Sequence, residues 1–230
     1  MSELKAYILE HPEEQFQYDK HQIRPGQLDE LVAKGQAVLN AQLPFESPPV
    51  RMADAATLFL IYPLKVVDGV QADAILHAVK DALQGPYGIK RYEGDSYWCA
   101  DYKQVFDLDK LTADMSNELE VRDAILKPGT EAQWCIFDPI ISVIYGRRYL
   151  ATGMPLHLEK QTEYFNRSLS QLTPPDCPFG EMQCPEAYYI ENSNNGRYIP
   201  NDQTPLVWAQ ANLGLALLQM KQSAEHSSLQ

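Results

Sequence analysis

"QCPEAYYIEN", residues 183–192, is the stretch on which the reading of the fold turns. Glu186 follows a proline and precedes a small residue and two tyrosines. Just downstream, "TPLVWAQANLGLALLQM", residues 204–220, has an almost unbroken apolar helical pattern. Taken as an aromatic loop feeding a buried helix, the stretch belongs to an all-α chain. A carboxylate that activates water must be held rigidly and partly shielded, and a proline before it with aromatics after it meets that need. A solvated loop glutamate or a helix-side charge fits the same letters.

Working outward, apolar spacing of three and four residues recurs along the chain. One helix is expected over Pro25–Gln42, with Leu28, Leu31, Val32, Gly35 and Leu39 on one face, before Pro44 and "SPPV" break it. A nearly all-apolar helix follows at Met52–Tyr62, stopped by Pro63. Another covers Val70–Leu83, with Ile75, Val79, Ala82 and Leu83 inward, and Gly85 ends it. Residues 85–130 are irregular, aromatic and acidic, with a short helix near Leu119–Leu126. A stretch of that length without structure is functional or disordered. Glu131–Leu150 is apolar on most sides and is expected to kink at Pro139. Pro155–Leu172 is amphipathic, with Leu158, Phe165 and Leu169 in register. The last helix takes Thr204 as N-cap and Pro205 as its first residue, and runs buried to about Lys221. Helices apolar all round alternate with helices apolar on one side, as a double layer of helical hairpins requires. The expected organisation is an N-terminal extension over 1–24, a helical body over 25–222 and a flexible tail over 223–230.

Composition narrows the function. The 230 residues suffice for one good core or two small ones. A formal net charge of −12, with lysine and arginine scattered, argues against a nucleic-acid or anionic-membrane partner. No signal peptide, lipidation motif or membrane-spanning run is evident, which points to the cytoplasm. Cys99, Cys135, Cys177 and Cys184 form no C-x-x-C pair and do not cluster with histidines, so no metal or cofactor is expected. Reduced thiols are the expected state, although Cys177 and Cys184 flank one loop and would pair in an oxidising setting.

"GIKRYEGDSYW", residues 88–98, is dense in sugar-binding residue types. Arginine forks and carboxylates bind vicinal hydroxyls, and aromatic faces stack on a pyranose. Arg91, Tyr92, Asp95, Tyr97 and Trp98 supply all three. A surface ion pair beside core aromatics is the plainer alternative.

The same stretch resembles the arginine-tyrosine-x-x-aspartate-x-tyrosine segment of glucoamylase-type glycoside hydrolases. "EAQWCIFDPIISVIYG" resembles their Trp-containing inner helix, "CPEAYY" the loop bearing their catalytic base, and "TPLVWAQANLGLAL" the helix after it. The glucoamylase-like regulatory subunits of phosphorylase kinase, alpha and beta, look closer still, with a similar "YG-x-x-R" entry, a long insert (here 99–130) and a linker like "LNAQLPFES". The resemblance covers roughly residues 30–222. It implies about half of an (α/α)6 toroid of alternating inner and outer helices. It implies that Glu186 is the general base, that Arg91, Tyr92, Asp95 and Tyr97 contact sugar hydroxyls or rings, and that Trp134 walls the pocket. The substrate class it implies is an α-linked glucan or maltosaccharide, hydrolysed with inversion by two carboxyl groups about 6.5–9.5 Å apart. The family's general acid sits in a Trp-Glu segment, and this chain has no Trp-Glu pair. The isolated chain is therefore expected to be inactive, with its open edge covered by self-association or by a complementary N-terminal half. A non-catalytic carbohydrate-sensing module is the second expectation, and a helical scaffold with a decayed site the third.

Overall fold

The structure is a computed structural model describing residues 2–11, 17–18, 21–22, 25–105, 120–121, 124, 126, 129–192 and 196–228. The chain divides into two compact units, Met1–Leu43 and Pro44–Gln230. The first contains α1 (Ser2–Glu10), the short strands β1 (Gln17–Tyr18) and β2 (His21–Gln22), and α2 (Pro25–Gln42). Helix α2 has the expected bounds but not the expected buried face. Leu28 is buried, whereas Leu31 and Val32 are exposed. The expected short helix near Leu119–Leu126 lies largely outside the described residues.

The second unit departs from an all-α fold. It contains α3 (Leu58–Ile61), α4 (Gly69–Leu83), β3 (Ile89–Lys90), α5 (Tyr102–Val105), β4 (Gln133–Trp134), α6 (Phe137–Thr152), α7 (Pro155–Ser170), β5 (Ala187–Glu191), β6 (Arg197–Pro200) and α8 (Val207–Ser227). The four strands form one antiparallel sheet in the order β3-β4-β5-β6. This sheet overturns the expected all-α half-toroid: the chain is mixed α and β. "AYYIE", the stretch taken for a loop, is its longest strand, rich in the aromatic and β-branched residues that suit a pleated surface.

The expected helix at Met52–Tyr62 is also reduced. Asp54 forms a bridge with Tyr92, and the Ala55 amide donates to the Arg91 carbonyl at 2.8 Å. These bonds hold residues 51–54 extended, leaving a 3-10 turn over Ala55–Thr57 and then the single turn of α3. Pro139 does not kink α6. It falls in the first turn, where its missing N–H has no helical partner to lose.

Helices α6, α7 and α8 pack on one another. Asp138 of α6 is fully buried and receives the Arg167 Nε of α7 at 2.6 Å, while Arg167 Nη2 donates to the Gly85 carbonyl at 2.9 Å. One ion pair thus joins two helices to the turn that feeds β3. Arg167, Gln161, Tyr164 and Ser168 set the inward face of α7, rather than the expected Leu158, Phe165 and Leu169. Helix α8 is not buried all round either. Ala209, Asn212, Ala216, Gln219 and Ser223 face inward, whereas Val207, Trp208, Leu215, Leu217 and Leu218 are exposed. Its start is displaced from Thr204 to Val207 because the preceding segment is bonded elsewhere. Leu206 N donates to the Cys184 carbonyl at 2.8 Å, and the Gln203 carbonyl accepts from Glu186 N at 3.1 Å.

Candidate functional site

The tight sequence Arg91-x-x-x-Asp95 sits on a turn after β3, and its first function is internal. Arg91 Nε and Nη2 donate to Asp95 Oδ2 and Oδ1 at 2.9 and 2.7 Å. The fork is bidentate, the geometry that fixes both partners most firmly. Asp95 is completely buried and also accepts Tyr97 N at 3.1 Å. Burial pushes its carboxyl above the ordinary value, against the Arg91 charge and hydrogen bonds. Burial also works to lower the Arg91 value, but the Asp95 charge and hydrogen bonds outweigh it and the net direction is up. Asp95 therefore lies behind the site as a post for Arg91 and makes no direct surface for a ligand.

Arg91 is aimed across three rings. Its guanidinium carbon lies 5.0 Å from the Trp134 ring centroid, 5.2 Å from Tyr92 and 5.7 Å from Tyr97. Trp134 arrives from β4, paired with Ile89 on one side and Ala187 on the other. Tyr97 and Trp134 rings are 5.7 Å apart.

Glu186 enters from the residue before β5. Its carbonyl accepts Cys135 N at 2.9 Å and its amide donates to Gln203 O at 3.1 Å, so the backbone is pinned on both sides. Its carboxylate Oε2 accepts Asn201 Nδ2 at 2.7 Å and Tyr97 OH at 3.4 Å. Burial raises its pKa above the ordinary glutamate value, opposed by the Asn201 and Tyr97 hydrogen bonds and by the Arg91 charge. Asn201 is fully buried, and its Oδ1 accepts the Ala187 amide at 3.4 Å, so one side chain orients both the strand and the carboxylate.

Arg91, Tyr92, Tyr97, Trp134 and Glu186 line a single opening of ≈ 520 Å³, together with Arg51, Asp54 and Ala56. Five of the six residues expected to form a site meet there, from segments 95 positions apart (91 to 186). The sixth, Asp95, is buried behind them, and Trp98, from the same dense stretch of sequence, does not join them either. Its ring packs 4.8 Å from Tyr189 and 4.9 Å from Tyr102, inside the fold. Three polar contributors were not foreseen. Arg51 stacks over Tyr92 at 3.8 Å and approaches Asp54 at 3.4 Å. Asp54 also accepts Ala56 N at 2.8 Å. Asn201, the third, carries no local pattern. For Arg51 and Asp54 the only hint is a pair of opposite charges three apart inside an apolar run.

No protein-family model matches this chain, and no curated protein matches it. The chemistry therefore stands on the geometry alone. The opening is lined by two carboxylates, Glu186 and Asp54, two guanidinium groups and three aromatic rings, of which Tyr92 and Trp134 are largely buried. All four cysteines are free thiols lying outside it. Among the described residues no helix is long and apolar enough to cross a membrane, and no cluster of three or more His, Cys, Asp or Glu could hold a metal ion.

Proposed function

We propose that the opening around Glu186 binds a saccharide, an α-linked glucan or maltosaccharide by the resemblance of its residues, with Glu186 as its oriented carboxylate. The observation that carries this reading is the convergence of Arg91, Tyr97, Trp134 and Glu186 on one cleft. Ring faces suit the apolar side of a pyranose, and the locked guanidinium and carboxylate suit its hydroxyls. The four-stranded sheet is incompatible with an all-α toroid, but the residues of the opening keep this chemistry.

Binding is favoured over hydrolysis in this chain. Inversion needs an acid to protonate the leaving oxygen as well as a base to activate water. The other carboxyl groups beside the cleft, Asp54 and Asp95, are each tied to an arginine and a backbone amide. The exposed apolar face of α8 supports the further expectation that the chain associates with itself or with another polypeptide.

Titration with maltotriose, followed by tryptophan fluorescence, tests the reading. Saturable quenching is expected in the wild type and at least about tenfold weaker binding in Arg91→Ala, the loss of one charged hydrogen-bonding partner. Glucose release from maltotriose is expected to stay at background. Release abolished by Glu186→Gln would overturn the preference for binding, and no saturable binding would overturn the site.

A further inference from the structure

A second cleft lies on the β5–β6 side of the sheet. It is lined by Tyr188 and Tyr198, which share one face by strand register, and by Tyr189 and Ile199 from the other. The cleft measures ≈ 740 Å³ and shares no described lining residue with the Glu186 opening. That volume falls within the roughly 300–1,000 Å³ of small-molecule clefts.

We propose that this cleft is a second saccharide-binding groove, floored by Tyr87 and Tyr198. The inference takes its ligand class from the proposed function but rests on separate residues. Tyr87 is 42% exposed although its ring stacks on Tyr198 at 4.7 Å and meets Tyr188 at 5.4 Å. Stacking fixes the ring and leaves aromatic surface facing the cleft. Phe179, on the loop after α7, also lines the cleft. A tyrosine platform of this kind receives the C–H face of a pyranose.

The polar groups fit a neutral polyhydroxyl ligand. Lys103 Nζ and Asp202 Oδ1 lie 2.8 Å apart at the cleft, both side chains partly exposed at 42% and 51%. An ammonium beside a carboxylate offers a donor and an acceptor at the spacing of neighbouring hydroxyls. Across the lining, Lys103 and Arg197 stand against Asp176, Glu191 and Asp202, so the cleft carries one net negative charge and disfavours an anion. A peptide adding to the sheet would use the outer edge of β6, which ends in Pro200 and so lacks a donor there.

Calorimetric titration with maltohexaose separates this groove from the Glu186 opening. Two binding events are expected in the wild type. Arg91→Ala is expected to retain the groove's event, and Tyr87→Ala and Lys103→Ala to weaken that event about 3- to 10-fold, the range of one lost aromatic contact. Lys103 is on the surface, so its variant reads the groove even if Tyr87→Ala disturbs packing. Loss of all binding in Arg91→Ala, or two undisturbed events in both groove variants, overturns the proposal. Binding kept in Arg91→Ala but lost in Tyr87→Ala upholds the groove while refuting the Glu186 opening. No binding by the wild type overturns both.

Discussion

Glu186 combines a pinned backbone with a half-buried carboxylate, and its titration follows from that placement. Its folded-state pKa is raised. Between the ordinary glutamate value of roughly 4.3 and the raised one, the native state binds more protons than the unfolded chain, so the stability this group contributes falls as pH rises. Glu186→Gln removes the penalty. The variant is expected to melt above the wild type at neutral pH, with the gain shrinking as pH falls from the raised value towards the ordinary one of roughly 4.3. A melting difference that does not vary with pH would contradict this account. The residues around Glu186 were unequally legible. Arg91, Tyr92, Asp95 and Tyr97 share seven consecutive positions, where one turn gathers them. Asn201 and Arg51 reach the same cleft only through strand pairing and a bridge that no local pattern signals.

Helices meet closely where α6 passes α7 and α8. A Cβ built on Gly146 would fall 2.5 Å from both Gln161 Nε2 and Gln219 Cγ, and both glutamines are buried. Gly146→Ala is therefore expected to destabilise by about 1–3 kcal/mol. Gly214 on α8 has nothing within 4 Å, so Gly214→Ala is expected to stabilise by roughly 0.5–1 kcal/mol through helix propensity. Urea denaturation of the two variants measures both signs. The Asp138–Arg167 pair gives a larger effect. Arg167→Ala leaves a fully buried carboxylate without its cation, at a cost of about 3–5 kcal/mol. The same denaturation assay checks it, and a loss under 1 kcal/mol would show that Asp138 finds another partner.

At the scale of the whole chain, α8 carries an exposed apolar surface. Val207, Trp208, Leu217 and Leu218 are each more than half exposed. Trp208 also stacks on Phe59 at 5.8 Å, which extends the aromatic surface beyond the helix. Concentration-dependent self-association is expected by analytical ultracentrifugation. Leu217→Glu with Leu218→Glu is expected to shift the population towards monomer without unfolding it, because neither side chain is part of the core. A monomer at every concentration would assign this face no role in self-association.

The sequence by itself determined the bounds of α2, α4 and α7 and the run from Arg91 to Tyr97 that meets at one cleft, because 3.6-residue periodicity and turn chemistry are local. Only the tertiary structure decided the sheet. Its first two strands are two residues each, too short for any alternation to show, and β3 pairs with β4 across more than forty positions. Tertiary structure also decided which side of α8 is buried. Leucines lie on several faces of that helix, and close packing selects the small and polar side chains Ala209, Asn212, Ala216, Gln219 and Ser223 to face α6 and α7, where Gly146 leaves little room.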